Sequence, residues 1–206
     1  MSSTRPRILE ATRRLIAHRG TGFTMADVAR ETGVSRQAVY LHFASRASLF
    51  LALVRHMDDA DGIRPRCERA LAEQDPLEAL RAFLAAWLSY ADRIRPIASA
   101  LLASRHDDPD TAAAWNDRTG ELRAGFLAAT RRLGATGLLR PGLTPETAAD
   151  LAWAMTSVPV WEQLTVDCGR DALDAGHHLT DAVTAALTRR PPAGDGHPSR
   201  EVTGAR

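Results

Sequence analysis

An all-α fold is predicted for this 206-residue chain by three observations. Apolar residues recur at i, i+3 and i+4 along most of its length, no segment sustains strand alternation, and capping residues or prolines stand ahead of the apolar runs. The most informative stretch is TMADVARETGVSRQAVYLHFASR, residues 24 to 46, which reads as two short helices joined by a tight turn. The expected architecture is an N-terminal three-helix helix-turn-helix domain followed by a larger helical domain, about nine helices in total.

Taken in order, residues 1 to 5 show no periodicity and are expected to be a flexible arm. From about Arg5 to His18 a stripe of Ile8, Ala11, Leu15 and Ile16, with Thr12, marks the first helix, while Arg7, Arg13, Arg14 and Arg19 lie off it. Gly20 and Thr21-Gly22 end it. Thr24 caps the second helix and Asp27 returns a bond to the cap, a capping box. Met25, Val28 and Ala29 form its apolar stripe, and Thr32-Gly33 breaks it at about Glu31, because glycine takes positive φ without steric cost. Val34 plugs the corner. Ser35 caps the third helix, on which Arg36, Gln37 and Tyr40 share an exposed face and Val39 and Phe43 point inward.

Ser45 caps a long helix beginning at Arg46, with an inner stripe of Leu49, Phe50, Leu53, Val54 and Met57. Asp58, Asp59 and Asp61 near its end read as a solvated charge cluster. Gly62 and Pro65 end or kink it, and a short helix continues from about Arg66 to Glu73. Asp75-Pro76, Asp108-Pro109 and Thr144-Pro145-Glu146 each place a capping side chain before a proline at the first helical position. They predict helices over about 76–93, 109–134 and 145–158, with Pro96 opening a shorter helix to about Arg105. Gly134, Gly137 and Pro141-Gly142 form a loop, and Val158-Pro159 breaks the helix before it. After a short segment 160–167 and Gly169, a last helix over about 170–189 carries Ala172, Ala175, Leu179, Ala182, Val183, Ala186 and Leu187 on one face. Residues 190–206, rich in Pro and Gly, are expected to be a disordered tail.

Hydrophobic residues make up 45% and charged residues 25% of the chain, which is ordinary for a globular protein. No run of about 18 uncharged apolar residues predicts a membrane span, and Arg5, Arg7, Arg13 and Arg14 interrupt any signal-peptide core. Cys67 and Cys168 lack the close spacing of metal-ligand pairs and fit a reducing cytoplasm. The net charge of +1 hides an asymmetry. Residues 1 to 56 hold nine Arg against Glu10, Asp27 and Glu31, 9 − 3 = +6, and the remainder holds 17 Arg against 22 acids, −5. A basic head on an acidic body concentrates a polyanion-attracting field at the helix-turn-helix. Every basic residue is Arg, which reads as the coding bias of a GC-rich bacterial source.

The exposed face of the third helix carries chemistry suited to DNA. Arg and Gln make bidentate contacts to guanine and adenine edges, and a Tyr hydroxyl or a His ring reaches phosphate oxygens. Ile8-Leu9-Glu10-Ala11-Thr12-Arg13-Arg14-Leu15, Gly20, Phe23-Thr24, Val28-Ala29, Gly33-Val34-Ser35, Tyr40, His42-Phe43 and Ser45-Arg46 resemble the N-terminal domain of the TetR family of transcriptional regulators. Together with the helix geometry, this resemblance implies that Arg36, Gln37 and Ala38 face base edges, Ala38 against a thymine methyl. Thr24, Tyr40, His42 and Arg46 fix the phosphates, and Ser35 completes the DNA-binding set. The family commonly has Lys where Arg46 stands, and its usual acidic neighbour is replaced by Ala47.

The resemblance also implies that the remainder is a ligand-binding and dimerisation domain, divided as 1–45, 46–189 and the tail. Ala-rich faces on the last two long helices permit close approach of a second copy. Ala148, Leu151, Ala152, Met155, Leu179, Ala182, Val183 and Ala186 are the expected homodimer contacts. Phe83, Trp87, Tyr90, Leu101, Trp115, Phe126, Trp153 and Thr156 are the expected effector-binding residues, with Leu102, Trp161, Ser89, Ser99 and Thr130 as further candidates. Their mainly apolar character points to a small hydrophobic or aromatic effector. His177-His178 read as ordinary surface or interface histidines, and no cofactor, metal or membrane partner is expected. The implied function is a homodimeric repressor of a palindromic double-stranded operator, released by a small molecule. The alternatives are an activator or effector-independent DNA-binding protein and, remotely, an all-helical enzyme, for which no catalytic constellation is visible.

Overall fold

Residues 4–20, 22–106 and 109–189 are described by the structure, a computed structural model. They form α1 (Thr4–Arg19), α2 (Met25–Thr32), α3 (Arg36–His42), α4 (Arg46–Asp61), α5 (Ile63–Leu71), α6 (Pro76–Ser104), α7 (Pro109–Ala135), α8 (Pro145–Met155), α9 (Val158–Glu162) and α10 (Ala172–Leu187), with a π-helical turn over Gln163–Asp167 after α9. The only β pairing among them is one isolated bridge, Leu139 to Thr188, which fastens the end of α10 to the loop after α7. No single described helix is long and apolar enough to cross a membrane. The cap expected at Asp108, Met1 to Ser3 of the arm and the expected tail over 190–206 lie outside the described residues. Thr4 and Arg5 of that arm already belong to α1.

The helix boundaries follow local chemistry. Thr24 and Asp27 form the expected capping box, Gly33 ends α2 at φ 72°, and Ser35 accepts from Ala38 N–H. Ser45 caps α4 through a second box with Ser48. Asp75, Thr144 and Asp171 cap α6, α8 and α10, the first two ahead of prolines.

Three boundaries differ from expectation. Pro96 does not open a new helix; it lies inside α6, which runs unbroken through it. Its missing N–H leaves one helical carbonyl without its donor, but Ile94, Ile97, Ala98 and Leu101 on both sides of it are buried, so packing holds the turn. α5 begins at Ile63, directly after the left-handed Gly62, because Pro65 falls in the first turn, where the orphan N–H groups are not needed. α8 stops at Met155, and Val158-Pro159 starts α9 instead of following a longer α8.

Two main cores result. The first gathers Ile8, Leu15, Phe23, Met25, Val28, Val39 and Phe43 of the head with Leu49, Phe50, Leu53 and Val54 of α4, and continues into the body through Ile97 and Leu101 of α6. The second holds Leu80, Phe83, Leu84, Phe126, Ala129, Leu133, Ala148, Ala152, Val183 and Leu187. There Phe83 and Phe126 meet edge to face with centroids 5.1 Å apart, a favoured aromatic geometry. Gly125 leaves the space that the Phe83 ring fills.

Candidate nucleic-acid interface and buried cavity

The head presents α3 outward. Val39 and Phe43 are buried, while Arg36, Gln37, Tyr40 and His42 are exposed and Ala38 is half-buried at the helix base. The Arg36 guanidinium lies over the Tyr40 ring at 5.6 Å, which pre-orders two long side chains on one face. Leu41, 80% exposed, belongs to the same face by its i+4 spacing from Gln37 and was not among the expected contacts. Its apolar type in a polar helix was the signal that could have found it.

The remaining DNA candidates divide by what already holds them. Thr24 and Ser35 are exposed, but their hydroxyls are engaged in the caps of α2 and α3. Arg46 packs its guanidinium over Phe23 and Phe50, at 5.3 and 4.9 Å, and burial lowers its pKa; an arginine so placed remains charged. The positive field of the head is also partly neutralised internally. Arg13 and Arg14 pair with Glu10, Arg14 with Glu31, and Arg30 with Asp27.

In the body, Val54, Trp87, Tyr90, Ile94, Ala98, Leu101, Trp115, Arg118, Thr119, Leu122, Trp153, Ser157 and Val158 enclose a cavity of about 80 Å³. Five of the expected effector residues, Trp87, Tyr90, Leu101, Trp115 and Trp153, line it together. The expected Phe83, Phe126 and Thr156 do not. Phe83 and Phe126 fill the second core, and Thr156 is buried with its hydroxyl on the Ala152 carbonyl. Thr156 contributes its own carbonyl, which accepts from the Trp87 indole N–H at 3.1 Å and so fixes that ring. Of the further candidates, Trp161 packs in a separate small core, and Thr130 bonds to main-chain carbonyls. A second pocket of about 350 Å³ adjoins, sharing Trp87, Tyr90, Arg118 and Leu122 and adding Asp58, Cys67 and Phe83.

The lining is mainly apolar, as expected, but a buried polar cluster stands where the two pockets meet. Asp58 is only 4% exposed, so the solvated reading of the acidic cluster fails there. Its carboxylate accepts from the Tyr90 hydroxyl at 2.6 Å and pairs with Arg118, and Arg118 also reaches Glu121 at 3.0 Å. Asp61 is likewise enclosed and pairs with Arg66 and Arg93. Nothing local in sequence distinguishes these acids from Asp59, because their partners lie on α5, α6 and α7.

Burial raises the Asp58 carboxyl above the ordinary Asp value, against the opposing effects of Tyr90 and Arg118, and pushes the Tyr90 hydroxyl up as well. A carboxyl whose folded pKa lies above its unfolded value costs stability when ionised. That cost is absent below the unfolded pKa, about 3.9, and fully present above the folded value. The wild-type protein is therefore expected to lose stability relative to Asp58→Asn as pH rises through this window. Urea midpoints of both proteins at mildly acidic and neutral pH measure it; a relative gain by the wild type with rising pH would show that Arg118 depresses the carboxyl instead.

The expected dimer residues also separate. Ala148, Ala152, Leu179 and Val183 are buried within their own chain, because α7 and α6 already cover the inner faces of α8 and α10. Those four are corrected to core. Leu151 and Ala182 are exposed, and Met155 and Ala186 half-buried. His177 and His178 are exposed on α10, His178 facing Asp174 at 3.3 Å.

Fold and site together define an all-helical protein with a helix-turn-helix head and a body enclosing a small aromatic-walled cavity. Residues 8–53 match the family model of bacterial regulatory proteins, tetR family. Over this N-terminal domain the chain is similar to the TetR family. It is 37% identical over 82 residues to the HTH-type transcriptional regulator TtgR of Pseudomonas putida, a match covering 39% of each chain. It is 34% identical over 126 residues to the HTH-type transcriptional repressor AcnR of Corynebacterium efficiens, covering 58% of this chain and 60% of that one. The chain thus spans well under two thirds of the length of these relatives. The fold of the whole described chain is shared with SmeT, the repressor of the Stenotrophomonas maltophilia multidrug efflux pump SmeDEF, at 22% identity and a TM-score of 0.68, covering 91% of this chain and 92% of that one.

Proposed function

We propose that the protein is a homodimeric transcriptional repressor that binds a palindromic operator through α3 and is released by a small molecule bound in the body. Residues 1–45 act as the DNA-binding domain and 46–189 as the effector and dimer domain, in the cytoplasm where the chromosome lies. The observation that carries this reading is structural continuity between cavity and head. Val54 and Leu101 line the cavity and also belong to the core that holds α1, α2 and α3. A ligand that displaces either side chain acts on the packing that sets the angle of the head.

The two heads of a dimer must present α3 to successive major grooves, ~34–36 Å apart. α4 is the element able to change that spacing, since it starts under the head and carries Asp58, in its last turn, to the second pocket. The effect is a shift between two populations, and the ligand favours the one that does not fit the operator. The exposed Leu151 and Ala182, with the half-buried Met155 and Ala186, support a dimer through α8 and α10.

Gel shift and footprinting on the DNA flanking the gene test the reading. A palindromic footprint is expected; a folded dimer that leaves none at low salt would refute it. Within that assay Arg36→Ala is expected to cost ~1–3 kcal/mol and to relax preference at one base step. Arg46→Ala is expected to weaken specific and random DNA alike. Equal losses on both kinds of DNA for both variants would overturn this division of labour.

A further inference from the structure

We propose that the cavity selects a carboxylate with a compact aromatic or aliphatic body, and that Arg118 receives its head in competition with Asp58. This rests on the effector reading above and gives its ligand a chemical class.

The argument begins from unmatched hydrogen-bonding capacity. Arg118 belongs to the cavity wall, and its Nε–H is buried without any acceptor, one of three such side-chain atoms among the described residues. A buried guanidinium donor without a partner is costly unless a ligand supplies the acceptor. The acid of the wall is in the opposite condition. One Asp58 oxygen accepts from Tyr90 and the other is held by Arg118. The wall therefore offers a donor that lacks a partner and an acceptor that is already engaged.

Charge points the same way. A cation entering the cavity would stand beside Arg118, and the two nearby carboxylates, Asp58 and Glu121, are already paired, with Arg118 and, for Glu121, with Arg64 as well. A carboxylate would meet the unpartnered Nε–H and, by displacing Asp58, the adjacent Nη2 of the fork, while Nη1 stays on Glu121. The body of the ligand would lie against Ile94, Ala98, Leu101 and Leu122, which offer no polar group. Size limits it: about 80 Å³ is open on this side and about 350 Å³ beyond the shared partition. One ring with a short acid arm is accommodated if the partition of Trp87, Tyr90, Arg118 and Leu122 gives way, and Arg118 in it is held from the far side by Asp58. Taking Arg118 would release the C-terminal end of α4 from α7, leaving Arg55–Asp117 at 2.8 Å as the remaining ion pair between those helices among the described residues.

The test is calorimetric titration of the full chain at neutral pH with phenylacetate, 2-phenylethanol, phenethylamine and choline, alongside operator gel shifts with the same compounds. Phenylacetate is expected to bind about tenfold or more tighter than the alcohol, and the amine and choline more weakly still. In the double variant Asp58→Asn/Arg118→Met, which leaves no buried charge unpaired, that preference is expected to vanish. Equal affinity for acid and alcohol, tighter binding of either cation, no binding of the acid at millimolar concentration, or an acid preference that survives the double variant would overturn the proposal. Should the double variant not fold, the wild-type comparison decides alone. Acid-selective binding that leaves operator affinity unchanged would support the site and refute the repressor-release reading. Release from DNA by choline but not by phenylacetate would do the reverse.

Discussion

Arg118→Ala is expected to destabilise the protein by ~3–5 kcal/mol, because it leaves the Asp58 carboxylate buried without its counter-charge. Asp58 is 4% exposed and sits among α4, α6 and α7, so water cannot replace the guanidinium without opening those contacts. The loss is a property of the orphaned charge more than of the pair. Asp58→Asn/Arg118→Met, which removes both charges and keeps similar volumes, is expected to recover most of it. A buried pair offsets little more than its own desolvation. Arg55→Ala breaks an exposed pair between the same two helices, Arg55–Asp117, and is expected to cost less than ~1 kcal/mol. Urea unfolding with unchanged m-values measures all three. Comparable losses for Arg118→Ala and Arg55→Ala would show that water reaches Asp58.

The second large effect concerns the core of the body. Phe126 is fully buried and meets Phe83 edge to face, so Phe126→Ala is expected to cost ~3–5 kcal/mol through lost transfer energy and the cavity left behind. Gly125 supplies a sharper check. A Cβ at this position would run into the Phe83 ring, which is buried and held edge to face by Phe126. Gly125→Ala is therefore expected to destabilise by ~1–3 kcal/mol, although alanine favours helix over glycine. The measurement is the same unfolding midpoint; a gain in stability would mean that Phe83 repacks freely, and the adjoining pocket would then be expected to change shape.

Why the head was legible and the body only partly so follows from the range of the interactions. Thr24 with Asp27, Gly33, Ser35 and Ser45 act within three or four residues of themselves, so their caps and turn could be read from spacing. The aromatic cavity was legible in part. Trp87, Tyr90, Leu101, Trp115 and Trp153 converge, but the equally apolar Phe126 fills a different core, and Phe83 belongs to that core while it borders the adjoining pocket. No local pattern separates a side chain that lines a cavity from one that fills a core.

Pro96 shows the same limit in the opposite direction. Its chemistry argues locally for a helix start, and the burial of Ile94, Ile97 and Leu101 around it overrides that preference. Likewise Ala148, Ala152, Leu179 and Val183 were recognisable as close-packing faces, but whether they meet a second copy or their own chain depends on where α6 and α7 lie.

By itself, then, the sequence determined the helical class, the capped helix-turn-helix, the Arg36–Gln37–Tyr40 face and the basic head, because periodicity, caps and charge are local or additive. Only the tertiary structure decided which aromatics enclose the cavity and that Arg118, held by Asp58, forms part of its wall. Those residues stand 60 positions apart, and burial, which makes their pairing consequential, is a property of the packed chain.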